Sequence, residues 1–306
     1  MLKPRALRSG DRIAIVAPAS NCAREEFDLG AGELRRLGFE PVYAPSVFDR
    51  ATFTAGSAET RAAGFVRAWS DPSVAALVAL RGGYGSVHLL PLLESLDPTR
   101  TPKLFVGYSD TTSILSWLTC RHGITALHGP MLDRRLSRGP AGYDESSFMA
   151  LLQDGAGLTL SPDGLIIVQP GEASGPMYGG TMTQLVASLG TPYAFDPPDG
   201  CVLFLEDVDE RPYRLDRMLT QLQFAGVLRR ARALVFGEMR GCDEPGGTIT
   251  ARDTLRAFVR GFPGPVLFGF PSGHTAGPVW TLPLGVRVRI LTSPRPGIVV
   301  EEAPVD

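Results

Sequence analysis

Histidine and lysine are scarce in this chain: His88, His122, His128 and His274 are its four histidines, Lys3 and Lys103 its two lysines. Base catalysis near neutral pH, or a Schiff-base or Ser-Lys mechanism, therefore has few agents. No GxxxxGKS/T phosphate loop and no HExxH pair occurs, and His and Cys nowhere fall at zinc spacing. Neither a metal nor a cofactor is expected. Two stretches remain that could do chemistry. In Gly107-Tyr108-Ser109-Asp110 a serine follows an apolar run and precedes a helical one. A serine on such a turn exposes its hydroxyl beside a helix N-terminus, which favours a developing negative charge. Glycine stands two residues before Ser109, but Thr111 stands two after it, so the match to a nucleophile elbow is half complete. The same residues also read as a helix cap, with Ser109 or Asp110 holding the first amides. In Arg81-Gly82-Gly83-Tyr84-Gly85-Ser86, three glycines let backbone N–H groups approach a ligand or an oxyanion. A tight turn has the same composition. The loop is not GxGxxG, and no acidic residue is placed to hold a ribose, which counts against a dinucleotide.

A serine nucleophile needs a base, and the base an orienting acid. His88 falls in the helix after the glycine-rich loop. His122 precedes Gly123 at a helix end, where the dipole favours histidine without any function. His128 ends a strand before Gly129-Pro130, and His274 lies in the polar loop Pro271-Ser272-Gly273-His274-Thr275 after a buried strand. By position alone these two are equal candidates. For the acid, Glu206 closes the apolar run Cys201-Val202-Leu203-Phe204-Leu205, where a carboxylate can be desolvated enough to hold an imidazolium. A solvated acidic turn before the helix at Arg214 is the competing reading.

The elements that must carry these residues alternate in the first half. Strands are expected at Arg12–Ala17, Pro41–Ala44, Val74–Leu80, Lys103–Val106 and Ile124–Leu127, with helices at Glu25–Leu37, at Thr60–Trp69 and from Ser109 to about Arg121. That order predicts a parallel sheet flanked by helices, whose ligands bind beyond the carboxyl ends of the strands. The expected division is a domain over 1–135, a connection over 136–163 with one helix at Glu145–Gln153, and a smaller mixed α/β domain over 164–306. Its strands are expected at Leu165–Val168, Cys201–Leu205, Ala233–Phe236, Val266–Phe268 and Val286–Leu291.

Composition limits the classes. Lys plus Arg is 30 against 32 for Asp plus Glu, a net charge of -2 that argues against a nucleic-acid binder. The apolar stretch Ile13–Ala17 stops at Pro18, too short for a signal peptide, and no run approaches a membrane span. Cys22, Cys120, Cys201 and Cys242 are scattered without a CxxC pair, as expected of reduced thiols in a cytoplasmic protein.

Taken in order, the motifs resemble the LD-carboxypeptidase family, serine peptidases of the muramoyltetrapeptide carboxypeptidase and microcin-immunity type. The stretches are Gly10-Asp11 to Ser20, Arg81 to Gly85, Gly107 to Asp110, His128-Gly129-Pro130, Gly179-Gly180, Leu205-Glu206-Asp207 with Tyr213-Arg214 and Asp216-Arg217, and Gly273-His274 before Leu282-Pro283-Leu284-Gly285. The resemblance implies a flavodoxin-like N-terminal domain, a swivelling-type C-terminal domain and a homodimer. It implies a triad on Ser109, Glu206 and His274, deciding against His128; the mechanism this requires then expects the N–H groups of Gly83 and Asp110 to hold the oxyanion. The implied substrate is a murein tetrapeptide losing its terminal D-alanine; because bidentate pairing suits a carboxylate, an unspecified arginine is expected to meet the free one. One departure stands out: after Gly179-Gly180 the family usually has Asn-Leu, and this chain has Thr181-Met182.

Three rival readings differ in substrate or class. The same triad could cleave a peptidyl-nucleotide antibiotic, although no tryptophan lies between Trp117 and Trp280 to stack an adenine. A non-catalytic α/β protein could bind a ligand through the glycine-rich loop. An α/β-hydrolase esterase would share the order Ser, acid, His but expects GxSxG.

Overall fold

The computed structural model describes residues 1–306. Strands β1 (Arg12–Val16), β2 (Glu40–Val42), β3 (Val74–Ala79), β4 (Leu104–Gly107) and β5 (Ala126–His128) form a parallel sheet in the order β2-β1-β3-β4-β5. This is the flavodoxin-like order, whose ligand crevice opens where the winding reverses, between β1 and β3. Every residue of β3 is buried, which is why Val74–Ala79 reads as an unbroken apolar run rather than an alternating one. Helix α1 (Arg24–Arg36) turns Phe27, Ala31 and Leu34 inward at helical spacing, and α2 (Ala58–Ser70) does the same with Ala62, Phe65 and Trp69.

After the glycine-rich loop a 3-10 turn leads into the short α3 (Leu90–Leu93). The long helix expected after Ser109 is broken into three pieces: a 3-10 turn at Ser109–Thr111, α4 (Thr112–Ser116) and a π-helical turn at Trp117–Arg121. Thr119 Oγ1 donates to the Leu115 carbonyl at 2.8 Å, a side-chain bond inserted where the helix ladder should run.

The second sheet is mixed, in the order β6-β14-β13-β8-β9-β10-β11-β7. Its parallel centre is β8 (Glu172–Thr181), β9 (Cys201–Glu206), β10 (Ala231–Gly237) and β11 (Val266–Phe270). Strands β6 (Thr159–Leu160), β7 (Ile166–Gln169), β13 (Arg287–Leu291) and β14 (Gly297–Val300) pair antiparallel at its flanks. Two short strands cross the division expected from the sequence. β6 belongs to the stretch expected to connect the domains, after α5 (Glu145–Gln153). β12 (Leu282–Leu284) leaves the second half altogether and pairs with β5, Leu282 opposite His128.

Strand β8 escaped the sequence reading because it carries Gly175, Pro176, Gly179 and Gly180. The glycines mark close approach of the neighbouring backbone. A Cβ on Gly179 would fall 2.8 Å from the Phe204 carbonyl carbon, and one on Gly175 3.2 Å from that of Gly200.

Side chains of β9 alternate between two cores. Val202 and Phe204 point into the larger one, which is continuous with the first sheet through Leu127, Leu282 and Phe270. Cys201, Leu203 and Leu205 point into the smaller one, covered by α6 (Met182–Ser188), α7 (Pro212–Phe224) and α8 (Ala251–Phe258). An apolar core shared between the sheets fixes the two halves relative to one another, and the site with them. No helix is long and apolar enough to cross a membrane.

Candidate active site

Ser109 follows β4 directly and adopts φ 64°, left-handed for a residue with a side chain. Such a backbone costs about 1–3 kcal/mol and persists only where its surroundings impose it. Two glycines are among those surroundings. A Cβ on Gly82 would lie 2.8 Å from Ser109 Cβ and 2.9 Å from its Oγ, and Gly107 leaves room for the Thr111 side chain, whose hydroxyl donates to the Tyr108 carbonyl at 2.8 Å. Neither Ser109 nor Asp110 caps the following helix. Asp110 instead accepts from the N–H groups of Gly85 (3.2 Å) and Ser86 (2.8 Å), while Ser86 Oγ donates back to the Asp110 carbonyl at 2.6 Å. The glycine-rich loop and the serine turn are thereby locked together. Ser20, beyond β1, completes the brace: its N–H donates to the Gly82 carbonyl at 3.1 Å and its hydroxyl accepts from Tyr84 N–H at 3.2 Å. Gly83, at φ 95°, leaves its own N–H without a partner in the chain.

Glu206 ends β9 and is 1% exposed. Its Oε2 accepts the His274 backbone N–H at 3.0 Å and lies 2.9 Å from His274 Nδ1; its Oε1 lies 3.2 Å from Nδ1 and accepts the Thr181 hydroxyl. The acidic-turn reading does not apply to Glu206. Room for the side chain comes from two glycines: a Cβ on Gly237 would come within 2.6 Å of Glu206 Cβ, and one on Gly273 within 2.7 Å of its carboxylate carbon. Burial by itself would raise the Glu206 pKa, but the charge and hydrogen bond of His274, with His128 and Thr181, hold it down at about 2. The reciprocal holds for His274. Burial alone would lower its pKa; the Glu206 charge and hydrogen bond overcome that and raise it. With Nδ1 on Glu206, Nε2 is the nitrogen free for other work.

His128 is otherwise placed. It is fully buried, edge-on to Phe204 at 5.0 Å, with Nδ1 2.9 Å from Ser272 Oγ, and burial lowers its pKa to about 4. Its Nδ1 is taken by Ser272 and its Nε2 has no partner, so neither nitrogen bonds Glu206. His88 is exposed beside Tyr84, and His122 lies against Trp117 at 4.4 Å. Asp207 is buried as well, its pKa pushed up to about 6 by burial and by the Glu206 charge. It holds the start of α6, accepting from Thr183 N–H (2.9 Å) and Oγ1 (2.8 Å).

Ser109 and His274 line one cavity of about 600 Å³ at the carboxyl ends of β3, β4 and β10, together with Gly82, Gly83 and Tyr108. Sequence reasoning missed two residues here. Arg135 spends its guanidinium on the histidine loop, donating to the carbonyls of Gly273 (3.1 Å), Thr275 (2.9 Å) and Gly277 (3.0 Å), and to Tyr108 Oη (3.2 Å). Tyr108 in turn lies edge-on to His274 at 5.3 Å. Thr181 is the other, as donor to Glu206. The only sequence signal was indirect: an arginine-rich stretch after Pro130, and Thr181 standing where the resemblance expects Asn. No three His, Cys, Asp or Glu side chains converge in metal-binding geometry.

A two-domain α/β fold with a serine on a strained turn and a Glu-His pair at the same cavity has the layout of a hydrolase. The comparisons with known proteins agree. The LD-carboxypeptidase N-terminal domain model matches residues 13–129 and the C-terminal domain model residues 174–290. A Streptomyces coelicolor relative bearing a carboxypeptidase name is 35% identical over 97% of this chain and 98% of its own. The murein tetrapeptide carboxypeptidase of Pseudomonas aeruginosa is 30% identical over 87% of this chain and 88% of its own. Among solved structures, the muramoyltetrapeptide carboxypeptidase of Oxalobacter formigenes superposes with TM-score 0.82 at 29% identity, over 94% and 97% of the chains. The microcin C7 self-immunity protein MccF shares the fold throughout, with TM-score 0.91 at 23% identity over all of both chains. The chain belongs to the LD-carboxypeptidase family.

Proposed function

We propose that this chain is a serine LD-carboxypeptidase that hydrolyses the amide before the C-terminal D-alanine of murein tetrapeptides, acting in the cytoplasm as a homodimer. The observation that carries the reading is the desolvated Glu206–His274 pair beside a serine held at positive φ in one cavity. Ser109 Oγ attacks the scissile carbonyl carbon while His274 Nε2 takes its proton. Glu206 keeps the proton of His274 on Nδ1 and stabilises the imidazolium that forms. The oxyanion is met by the N–H groups of Gly83 and Asp110; a single such donor contributes about 10²–10³ in rate. His274 then gives its proton to the departing D-alanine nitrogen, and water, activated by the same imidazole, hydrolyses the acyl-enzyme. The relatives named for murein peptides support this substrate class.

The test is mass spectrometry of a muropeptide tetrapeptide after incubation with the parent and with Ser109→Ala. The expected result is loss of one alanine with the parent alone, the variant falling several orders of magnitude. Substantial turnover by Ser109→Ala would refute the nucleophile. Cleavage of an aminoacyl sulfamoyl adenosine in place of the tetrapeptide would refute the substrate.

A further inference from the structure

Five arginines line the cavity (Arg81, Arg134, Arg135, Arg138 and Arg240) against two aspartates, Asp133 and Asp209. The chain as a whole is slightly acidic, so this is a local concentration of positive charge in a concave site, where its field is focused. Three of the five are already engaged. Arg135 holds the histidine loop, Arg81 Nε lies 3.2 Å from Asp133, and Arg134 Nε lies 3.9 Å from the same carboxylate. Arg138 and Arg240 line the cavity with no side-chain partner in the chain.

They reach it from different elements. Arg138 sits on the turn Leu136–Ala141 that packs against α1, and Arg240 follows β10 in the second sheet. The backbone that delivers Arg240 is strained. Met239 before it has φ 51°, and the Arg240 carbonyl accepts at 2.9 Å from the N–H of Asp209, itself at φ 57°. The chain has four non-glycine residues at positive φ: Ser109, Arg134, Asp209 and Met239. Three of them line this cavity and the fourth abuts Arg240. Strain of this kind gathers where a side chain must be held for function.

We propose that Arg138 and Arg240 together recognise the free C-terminal carboxylate of the peptide and so confine cleavage to the last amide. The proposal rests on the carboxypeptidase reading above. In such a substrate the terminal carboxylate is one residue from the scissile carbonyl, about 3.8 Å along the chain. It must therefore lie in the same cavity as Ser109, whereas carboxylates further along the peptide need not. A planar guanidinium fork matches that carboxylate in a way a lysine does not.

The test compares hydrolysis of a murein tetrapeptide ending in D-alanine with the same peptide ending in D-alaninamide. The enzymes are the parent, Arg138→Gln, Arg240→Gln, the double variant and Arg240→Lys. The ratio of kcat/KM for acid over amide should fall about tenfold in each glutamine variant, carried by KM, and further in the double. Arg240→Lys should restore part of it through charge alone, and it carries the comparison where a glutamine variant does not fold. An unchanged ratio, or equal losses on both peptides, overturns the proposal. A parent inert on both peptides refutes the murein reading instead. The arginine pair is then read by calorimetry of Ser109→Ala with the two peptides, where equal affinities, or no binding of either, overturn it.

Discussion

Replacing Glu206 by Gln removes a charge and leaves the shape, and the surrounding donors decide which way the amide faces. Oε2 accepts two His274 donors, the backbone N–H and Nδ1–H, while Oε1 faces the Thr181 hydroxyl. A glutamine oxygen must take the Oε2 place, because an NH₂ there would confront two donors; its NH₂ then meets a hydroxyl that can rotate to accept. The Nδ1–H tautomer survives, so the loss is electrostatic alone. Two unit charges about 4 Å apart at an effective dielectric near 20 interact by about 4 kcal/mol. Stabilisation of the imidazolium in the transition state should fall by that amount, about 10³ in kcat/KM. The pH profile gives an independent reading. In the parent, His274 must be neutral to accept a proton, so activity is present at high pH and is lost as pH falls through a pKa raised above 6.5. Without the Glu206 charge the burial of His274 is opposed chiefly by the charge of Asp207, and the limb should move to more acid pH even as the plateau drops. Stopped assays of tetrapeptide hydrolysis between pH 5 and 9 measure both. A loss under tenfold, or a limb that stays in place, would refute the role given to Glu206.

Other changes test the scaffold around the site. Gly82→Ala brings a methyl within 2.8 Å of Ser109 Cβ, so the serine turn must shift; kcat should fall tenfold or more, with a melting temperature lowered by only a few degrees. Arg135→Ala frees three carbonyls of the histidine loop and should cost about 10² in kcat. Arg135→Lys should rescue little, since one ammonium cannot reach the partners the fork spans. Both are read by steady-state kinetics beside thermal unfolding. Phe204→Ala opens the core between the two sheets and should cost about 3–5 kcal/mol in urea unfolding.

What could be read from the sequence was what is local. Ser109 was visible because strand, turn and helix are contiguous, and Glu206 because a carboxylate ending a fully apolar run is conspicuous. The choice between His128 and His274 was not local. Both follow strands, and only the fold shows that Gly273 lets its loop close on Glu206 while His128 turns into Phe204. Arg135 and Thr181 were illegible for the same reason, since their partners lie far away in sequence. Strand β8 was hidden by its glycines, which weaken the β pattern while permitting the contact that makes it a central strand. The competing cap reading of Ser109 or Asp110 failed because Ser109 sits at positive φ without a capping bond and Asp110 spends its carboxylate on Gly85 and Ser86, contacts no helix-capping rule anticipates.

The pairing of β12 with β5 bears on how the protein is made. During synthesis β5 is complete at His128, yet the strand that covers its edge begins only at Leu282. While residues 129–281 are being made the first sheet presents an unpaired edge, the kind of surface that recruits foreign strands. The serine turn exists early; the histidine loop and the covering strand arrive late and almost together, since His274 precedes Leu282 by a single short loop. A nascent chain therefore holds its hydroxyl without its base, and a truncation before β12 should yield an aggregating fragment rather than a free-standing first domain.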